Sequence, residues 1–438
     1  MFFRLHRYKK VTLIGLTACV LATLYITREK TFKNFTDPHS WRLGFDLPGI
    51  LTEKFANTKR PSEEVMQQNN ADRQRELKEN IYAVCQNDTS KYYGYNNKFI
   101  FHSHIYVNTR HEFINCLIEK VGCSFFKRLL YFFSNNKHNL KDPFEITLGD
   151  AHGLPNERFS QMSFRQIENI LKNYKKIIFV REPYSRLLSA FVDKLFARSS
   201  RWQLILRKVS NANNQPQRKC YNNVTFAEFV TYFVKTITNG LNTDGHFMPM
   251  YTHCKPCLIK YDFIGKLESF QNDAEKMMVF IGLSNHKYLI QKAKSASVLD
   301  ELTDAAHILF SSDSNSKNPC YDPYNAAQKT WRKLQIKGLI SIHINFPYSP
   351  ENWLNITKQE FLTSLIQKHQ HSVNTDANLS ENRKMALREA YQDIPDEIKL
   401  KLKEIFEPDC LLFKYNPFPS FVFDKAPLKS PFRFFSSP

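Results

Sequence analysis

Lys176-Ile177-Ile178-Phe179-Val180-Arg181-Glu182-Pro183-Tyr184-Ser185-Arg186-Leu187-Leu188-Ser189-Ala190-Phe191 changes its period partway along. Residues 176–180 are too uniformly apolar to have one face in water, which predicts a buried strand. After Pro183, a residue favoured in a first helical turn, Leu187, Leu188, Phe191 and Leu195 recur at helical spacing. Upstream, Ser163 and Gln166 form a capping-box pattern that opens a helix through Ile167, Ile170 and Leu171 and ends before Lys175. Helix, strand, turn and helix in that order predict an α/β fold, a P-loop-like parallel sheet with flanking helices.

An earlier stretch, Glu119-Lys120-Val121-Gly122-Cys123-Ser124-Phe125-Phe126-Lys127-Arg128, has the same form. Phe99 to Phe101 and Ile105 to Val107 read as short strands leading to it. In both stretches basic and hydroxyl residues sit at a helix start, where unpaired N–H groups already favour an anion. Two such sites suit a ligand with phosphate at two places. The first is not a standard mononucleotide loop, since Gly-x-x-x-x-Gly-Lys-Ser/Thr is missing and only Gly122 can open the turn. Lys120, the amides from Val121 to Phe126, the Ser124 hydroxyl and Lys127 can still cradle one phosphate-like group. Arg181 leaves the end of the strand, with Ser189 two helical turns on. An arginine there needs an anion or a carboxylate, and Glu182 or Asp193 is the plain structural partner.

The chain has 438 residues, with 61 Lys and Arg against 42 Asp and Glu, a formal net charge of +19. That favours polyanionic partners. Arg4, Arg7, Lys9 and Lys10 precede an uncharged run from Val11 to Ile26, closed by Arg28. The expected organisation is a cytosolic tail over 1–10, an uncleaved transmembrane anchor over 11–27 and a luminal stem over 28–95. A catalytic-size domain over 96–425 follows, with an insertion of unknown structure near 311–371. Asn34, Asn87, Asn223, Asn355 and Asn378 head glycosylation triplets. Of the nine cysteines, setting aside Cys19 in the anchor leaves eight, an even number that permits full pairing in an oxidising lumen. A luminal address excludes nucleic acid as partner and turns the basic charge toward acidic glycans.

Three further elements are expected. Thr225 and Glu228 open a helix, Cys257 to Gly265 read as a strand followed by a helix from Leu267 to Phe280, and a last helix starts near Pro395 and ends before Pro408. Cys254-Lys255-Pro256-Cys257 reads as structural disulfide rather than zinc or redox chemistry.

Together these residues resemble a family. Lys120 to Ser124 with Lys127-Arg128, Val180 to Phe191, His246-Phe247-Met248-Pro249-Met250 and Cys254 to Glu268 occur in order, and Pro408-Asp409-Cys410 with Leu412, Phe413 and Tyr415 ends the match. This pattern is similar to the Golgi carbohydrate sulfotransferases of the chondroitin/dermatan 4-O- and HNK-1 type. The resemblance runs from about Phe113 to Gly282 and resumes in the tail. It implies 3′-phosphoadenylyl sulfate as donor, with Lys120 to Lys127 around its 5′-phosphosulfate. The segment Arg181, Glu182, Pro183, Tyr184, Ser185, Arg186, Leu187, Leu188 and Ser189 would surround the 3′-phosphate, gripped by Arg181 and Ser189. It also implies a Golgi type II membrane protein acting on a glycan hydroxyl, foremost N-acetylgalactosamine of chondroitin or dermatan. The alternative is a catalytically silent, membrane-tethered glycan-binding protein of the same fold.

Sulfuryl transfer is an in-line displacement, so positioning and charge stabilisation dominate, and this logic requires no metal. Lys120 is the group expected to meet charge on the leaving phosphate. A sugar hydroxyl needs a general base, and His246, His152 and the carboxylate Glu182 are the candidates. Arg186, Lys194, Lys260 and Lys266 are candidates for glycan contact. Glu119 stands where the family usually has proline, which puts a negative charge beside the phosphosulfate loop.

Overall fold

The computed structural model describes residues 63–87, 104–134, 139–197, 202–213, 220–221, 223–241, 243–311, 320–428 and 430–436. The expected tail, the anchor over 11–27, Asn34 and the strand from Phe99 to Phe101 lie outside them. Among the described residues no helix is long and apolar enough to cross a membrane.

The sheet has four strands in the order β1 (Ile105–Asn108), β2 (Phe113–Cys116), β3 (Lys175–Val180) and β4 (Phe263–Lys266). β1 and β2 are antiparallel, whereas β2, β3 and β4 run parallel. The sheet is therefore mixed, with the predicted parallel part formed by three of its four strands. Ile177 and Ile178 are fully buried, as a doubly covered strand requires. Cys116 pairs in register with Ile178, so the chains leaving β2 and β3 emerge at one edge of the sheet. Ligands of parallel sheets bind at that carboxyl edge.

The helices that frame the sheet and the site begin in chain order with α1 (Glu63–Asn87), α2 (Cys123–Phe132), α3 (Phe164–Asn173) and α4 (Pro183–Phe191). Next come α5 (Phe226–Thr238), α6 (Met250–Cys254), α7 (Phe270–Phe280) and α8 (Tyr288–Leu309). The last are α9 (Pro323–Ile336), α10 (Lys358–Thr375), α11 (Glu381–Gln392) and α12 (Asp396–Phe413). The capping boxes at Ser163 and Thr225 form as predicted, each hydroxyl accepting the N–H three residues on.

Four expectations change. The stem was expected to reach residue 95, but α1 belongs to the folded unit that begins at Glu63. Leu77, Ile81 and Cys85 of α1 enter the sheet's core. Gln74 bonds the Ile264 carbonyl at 2.8 Å and the Ile264 N–H at 3.0 Å, standing in for a neighbouring strand at the β4 edge. The strand expected from Cys257 begins only at Phe263, because Lys255 takes a left-handed conformation (φ 45°) and its carbonyl accepts the N–H groups of Leu258 and Ile259. The final helix does not stop at Pro408. It continues to Phe413 because Asp409, Cys410, Leu412 and Phe413 are all buried, enough to hold a proline inside a helix.

The stretch of unknown structure is helical where described. α9, α10 and the end of α8 enclose a core of Leu302, Trp331, Trp353 and Phe361. Full cysteine pairing is not observed either. Cys85–Cys257, Cys116–Cys254 and Cys220–Cys320 are disulfides, whereas Cys123 and Cys410 are thiols. The two cysteines of the Cys-x-x-Cys stretch thus go to separate partners. Asn87 ends α1, and Asn223, Asn355 and Asn378 are exposed.

Candidate functional site

The first loop follows β2 and enters α2 through two left-handed residues, Lys120 (φ 67°) and Gly122 (φ 78°). Glycine takes that conformation without strain, whereas lysine does so at a cost. Gly122 is the N-cap of α2 and, having no side chain, does not itself cap the first-turn amides. Val121 and Phe126 are buried, leaving only their backbone to face a ligand. Phe125 packs edge-on to Phe270. Ser124 Oγ lies 3.2 Å from His152 Nε2 and Lys127 Nζ lies 3.1 Å from His152 Nδ1. Partial desolvation and the neighbouring cations Lys127 and Lys194 lower the His152 pKa to about 4, so the ring is neutral near pH 7.

The second loop follows β3 at the same edge. Arg181 donates to the Lys120 carbonyl at 3.1 Å, which joins the two loops directly. Burial lowers its pKa to about 10, still far above neutrality. Ser189 is half-buried on α4. Glu182 caps α4, accepting the N–H groups of Tyr184 at 3.1 Å and Ser185 at 2.6 Å, which is a helix-start role rather than that of a base.

Most other side chains of the predicted 3′-phosphate segment face the core. Pro183, Tyr184, Leu187 and Leu188 are buried, and the Tyr184 hydroxyl donates to the Pro417 carbonyl. Arg186 was expected to contact glycan, but it is only 2% exposed. Its guanidinium donates to the carbonyls of Glu119, Met248 and Gly245 at 2.9, 2.7 and 3.0 Å, so it clamps the first loop to the segment before α6.

Sequence reasoning missed the group that holds Lys120. α4 runs into a π-helical turn, Val192–Phe196, which presents Asp193 to the Lys120 ammonium. Asp193 also meets Lys333 at 3.3 Å and Lys337 at 2.5 Å, and both lysines reach Glu301 at 2.9 and 2.6 Å. Asp193 therefore serves Lys120, not Arg181. Burial and the cations Lys337, Lys194 and Lys333 press the Lys120 pKa well below its usual value, against the pull of Glu301. Burial likewise lowers Lys337 to about 8. The four-residue spacing of Lys333 and Lys337 was the available signal, but it lay in the stretch whose structure the sequence left open.

Two matched blocks also meet across the chain. Asp409 accepts the Met250 N–H at 2.8 Å and the Tyr251 N–H at 2.7 Å, tying the tail to α6. Burial raises its pKa to about 6. Glu268 accepts the Glu182 N–H at 2.8 Å and the Tyr415 hydroxyl at 2.9 Å. Near α6, His246 Nδ1 lies 2.6 Å from Asp244 Oδ1 and its ring stands edge-on to Trp202. Lys194 lies over Trp202 at 5.9 Å, Lys266 over Tyr415 at 4.0 Å, and Lys260 is exposed.

Glu119 turns its carboxylate to His253 Nε2 at 2.9 Å and His104 Nδ1 at 3.4 Å. Burial would raise its pKa, but the contacts with His253 and His104 outweigh it and hold the carboxyl well below the usual range. Its charge is engaged on the side of the loop that carries the histidines.

Residues 103–317 match the model described as Sulfotransferase family. The chain is 34% identical over 209 residues to carbohydrate sulfotransferase 11 of Mus musculus, covering 46% of this chain and 59% of the relative. It is 35% identical over 188 residues to carbohydrate sulfotransferase 14 of Danio rerio, covering 42% and 49%. Carbohydrate sulfotransferase 8 of Homo sapiens is 33% identical over 185 residues, covering 41% and 43%. The alignments thus span roughly half the length of these relatives. No solved structure matches.

Proposed function

We propose that the chain, whose residues 103–317 match the sulfotransferase family model, is a 3′-phosphoadenylyl-sulfate-dependent carbohydrate O-sulfotransferase. One observation carries this reading: Arg181 bonds the Lys120 carbonyl, so the two anion-binding loops lie side by side at the carboxyl edge of β2 and β3. The α2 amides and Lys120 receive the phosphosulfate, and Arg181 with Ser189 receives the 3′-phosphate. The glycan oxygen forms a bond to sulfur as the sulfur–oxygen bond to the 5′-phosphate breaks, and Lys120 stabilises charge on that leaving oxygen. The hydroxyl proton passes to a base. The Asp244 contact supports His246, because it orients the ring through Nδ1 and leaves Nε2 as the nitrogen to meet the acceptor. His152 is the second candidate, beside Ser124 and Lys127. The acceptor class is an acidic glycan, foremost N-acetylgalactosamine of chondroitin or dermatan, and the setting is the Golgi lumen behind a type II anchor.

The pairing of Lys120 with Asp193 favours one competing reading, a silent glycan-binding protein whose donor lysine stays occupied. The test is binding of adenosine 3′,5′-bisphosphate followed by transfer of radiolabelled sulfate to desulfated chondroitin and other defined desulfated glycans. Absence of donor-product binding sinks the enzyme reading. Binding without transfer to any glycan supports the silent one.

A further inference from the structure

We propose that His104, Glu119 and His253 form a zinc site beside the first loop, built to hold that loop rather than to take part in transfer. The three side chains come from three segments: the residue before β1, the loop after β2, and α6. One donor atom from each lies within 4.8 Å of the other two. Two imidazoles and one carboxylate are a donor set that zinc accepts, with a fourth position left for water. His253 is fully buried, while Glu119 and His104 side chains are 19% and 26% exposed, which gives a buried floor and an entry path.

The surroundings hold the donors together. The Cys116–Cys254 disulfide joins the end of β2 to the residue next to His253. Arg186 fixes the Glu119 carbonyl and the Gly245 carbonyl at once. A Cβ at Gly245 would stand 3.3 Å from Glu119 Oε1 and from His253 Cε1, so glycine keeps the room beside the cluster. The cations Lys127, Arg158 and Arg186 are near enough to act on His104 or Glu119, and they set the affinity below that of the same donors in neutral surroundings. A bound dication would neutralise Glu119 one residue from Lys120 and fix the backbone that carries both. This site stands whether or not the transfer reading holds, since it uses none of the donor-binding groups.

The full chain, carrying no polyhistidine tag and stripped with chelator, is titrated with zinc in competition with a chromogenic indicator. One zinc per chain is expected, with a rise in thermal midpoint on binding. Glu119→Gln and His104→Ala each weaken zinc binding at least about tenfold, the low end of what loss of even an outer-shell partner costs. His253→Gln tests the buried ligand, and if it fails to fold, His104→Ala decides, because that side chain is partly exposed. A wild-type chain that binds less than a stoichiometric zinc, or whose midpoint zinc leaves unmoved, overturns the site. So does His104→Ala binding zinc as tightly as wild type, which would leave the triad as an ion pair between Glu119 and protonated His253.

Discussion

The two loops at the sheet edge are built in opposite ways. The loop after β3 makes its charged groups locally, since Glu182 caps its own helix and Arg181 leaves the strand directly, with distant support from Glu268 at the Glu182 N–H. The loop after β2 is held from a distance, its carbonyls by Arg181 and Arg186 and its ammonium by Asp193, which Lys333 and Lys337 also contact. Gripping an anion needs only a strand end and a helix start, which short sequence encodes. On the proposed function, placing Lys120 for chemistry needs a charge environment, and the charges around it extend to Lys333 and Lys337, beyond the matched region 103–317.

Lys120→Ala should separate the loops most sharply. Turnover should fall about 100- to 1000-fold, as when a preorganised charge-stabilising donor is removed, with adenosine 3′,5′-bisphosphate affinity changed far less. Equal collapse of affinity and turnover would mean that the first loop grips as well as reacts. Asp193→Asn should come next, lowering unfolding free energy by about 3 kcal/mol in chemical denaturation, because Lys333 and Lys337 lose a buried partner. An unchanged denaturation midpoint would show that Glu301 alone suffices.

Arg181→Ala should weaken adenosine 3′,5′-bisphosphate binding about 10- to 100-fold, the scale of a charge-assisted hydrogen bond, and Ser189→Ala only about fivefold. Titration calorimetry measures both. Unchanged affinity in both variants would remove the second loop from donor binding and leave no contrast to explain.

What the sequence revealed follows the same division. The capping boxes at Ser163 and Thr225, the buried strand and the turn at Pro183 were legible because each depends on residues within one or two turns. The 25-residue helix α1 was read as stem because its buried stripe of Gln74, Leu77, Ile81 and Cys85 is diluted by polar neighbours. Only contact with β4 and Asp273 gives that stripe meaning. Arg186 looked like a ligand contact for a related reason. A basic residue in a matched block gives no sign of direction, and three carbonyls supplied by distant backbone decide it. Asp193 was visible as a carboxylate, but its partner depended on a π-turn and on where α9 packs, neither of which local sequence encodes.

The smallest expected effect probes the remote half of the first loop through pH. Burial holds Lys337 near a pKa of about 8 in the folded protein, below the 10.5 of an ordinary lysine. The folded chain therefore binds fewer protons than the unfolded chain between about 8 and 10.5, so this group makes folding more favourable as pH rises across that window. Anion binding should move the other way, since the cluster around Lys120 loses a positive charge above pH 8. Affinity for adenosine 3′,5′-bisphosphate should fall about threefold between pH 7 and 9, the scale of one partly screened charge interaction. Lys337→Arg, whose guanidinium stays protonated, should flatten that limb while keeping the contacts to Asp193 and Glu301. A wild-type affinity already flat to pH 9 would mean that the cations of α9 and the adjoining Lys337 serve only to dock the helix, and that the first loop is as local as the second.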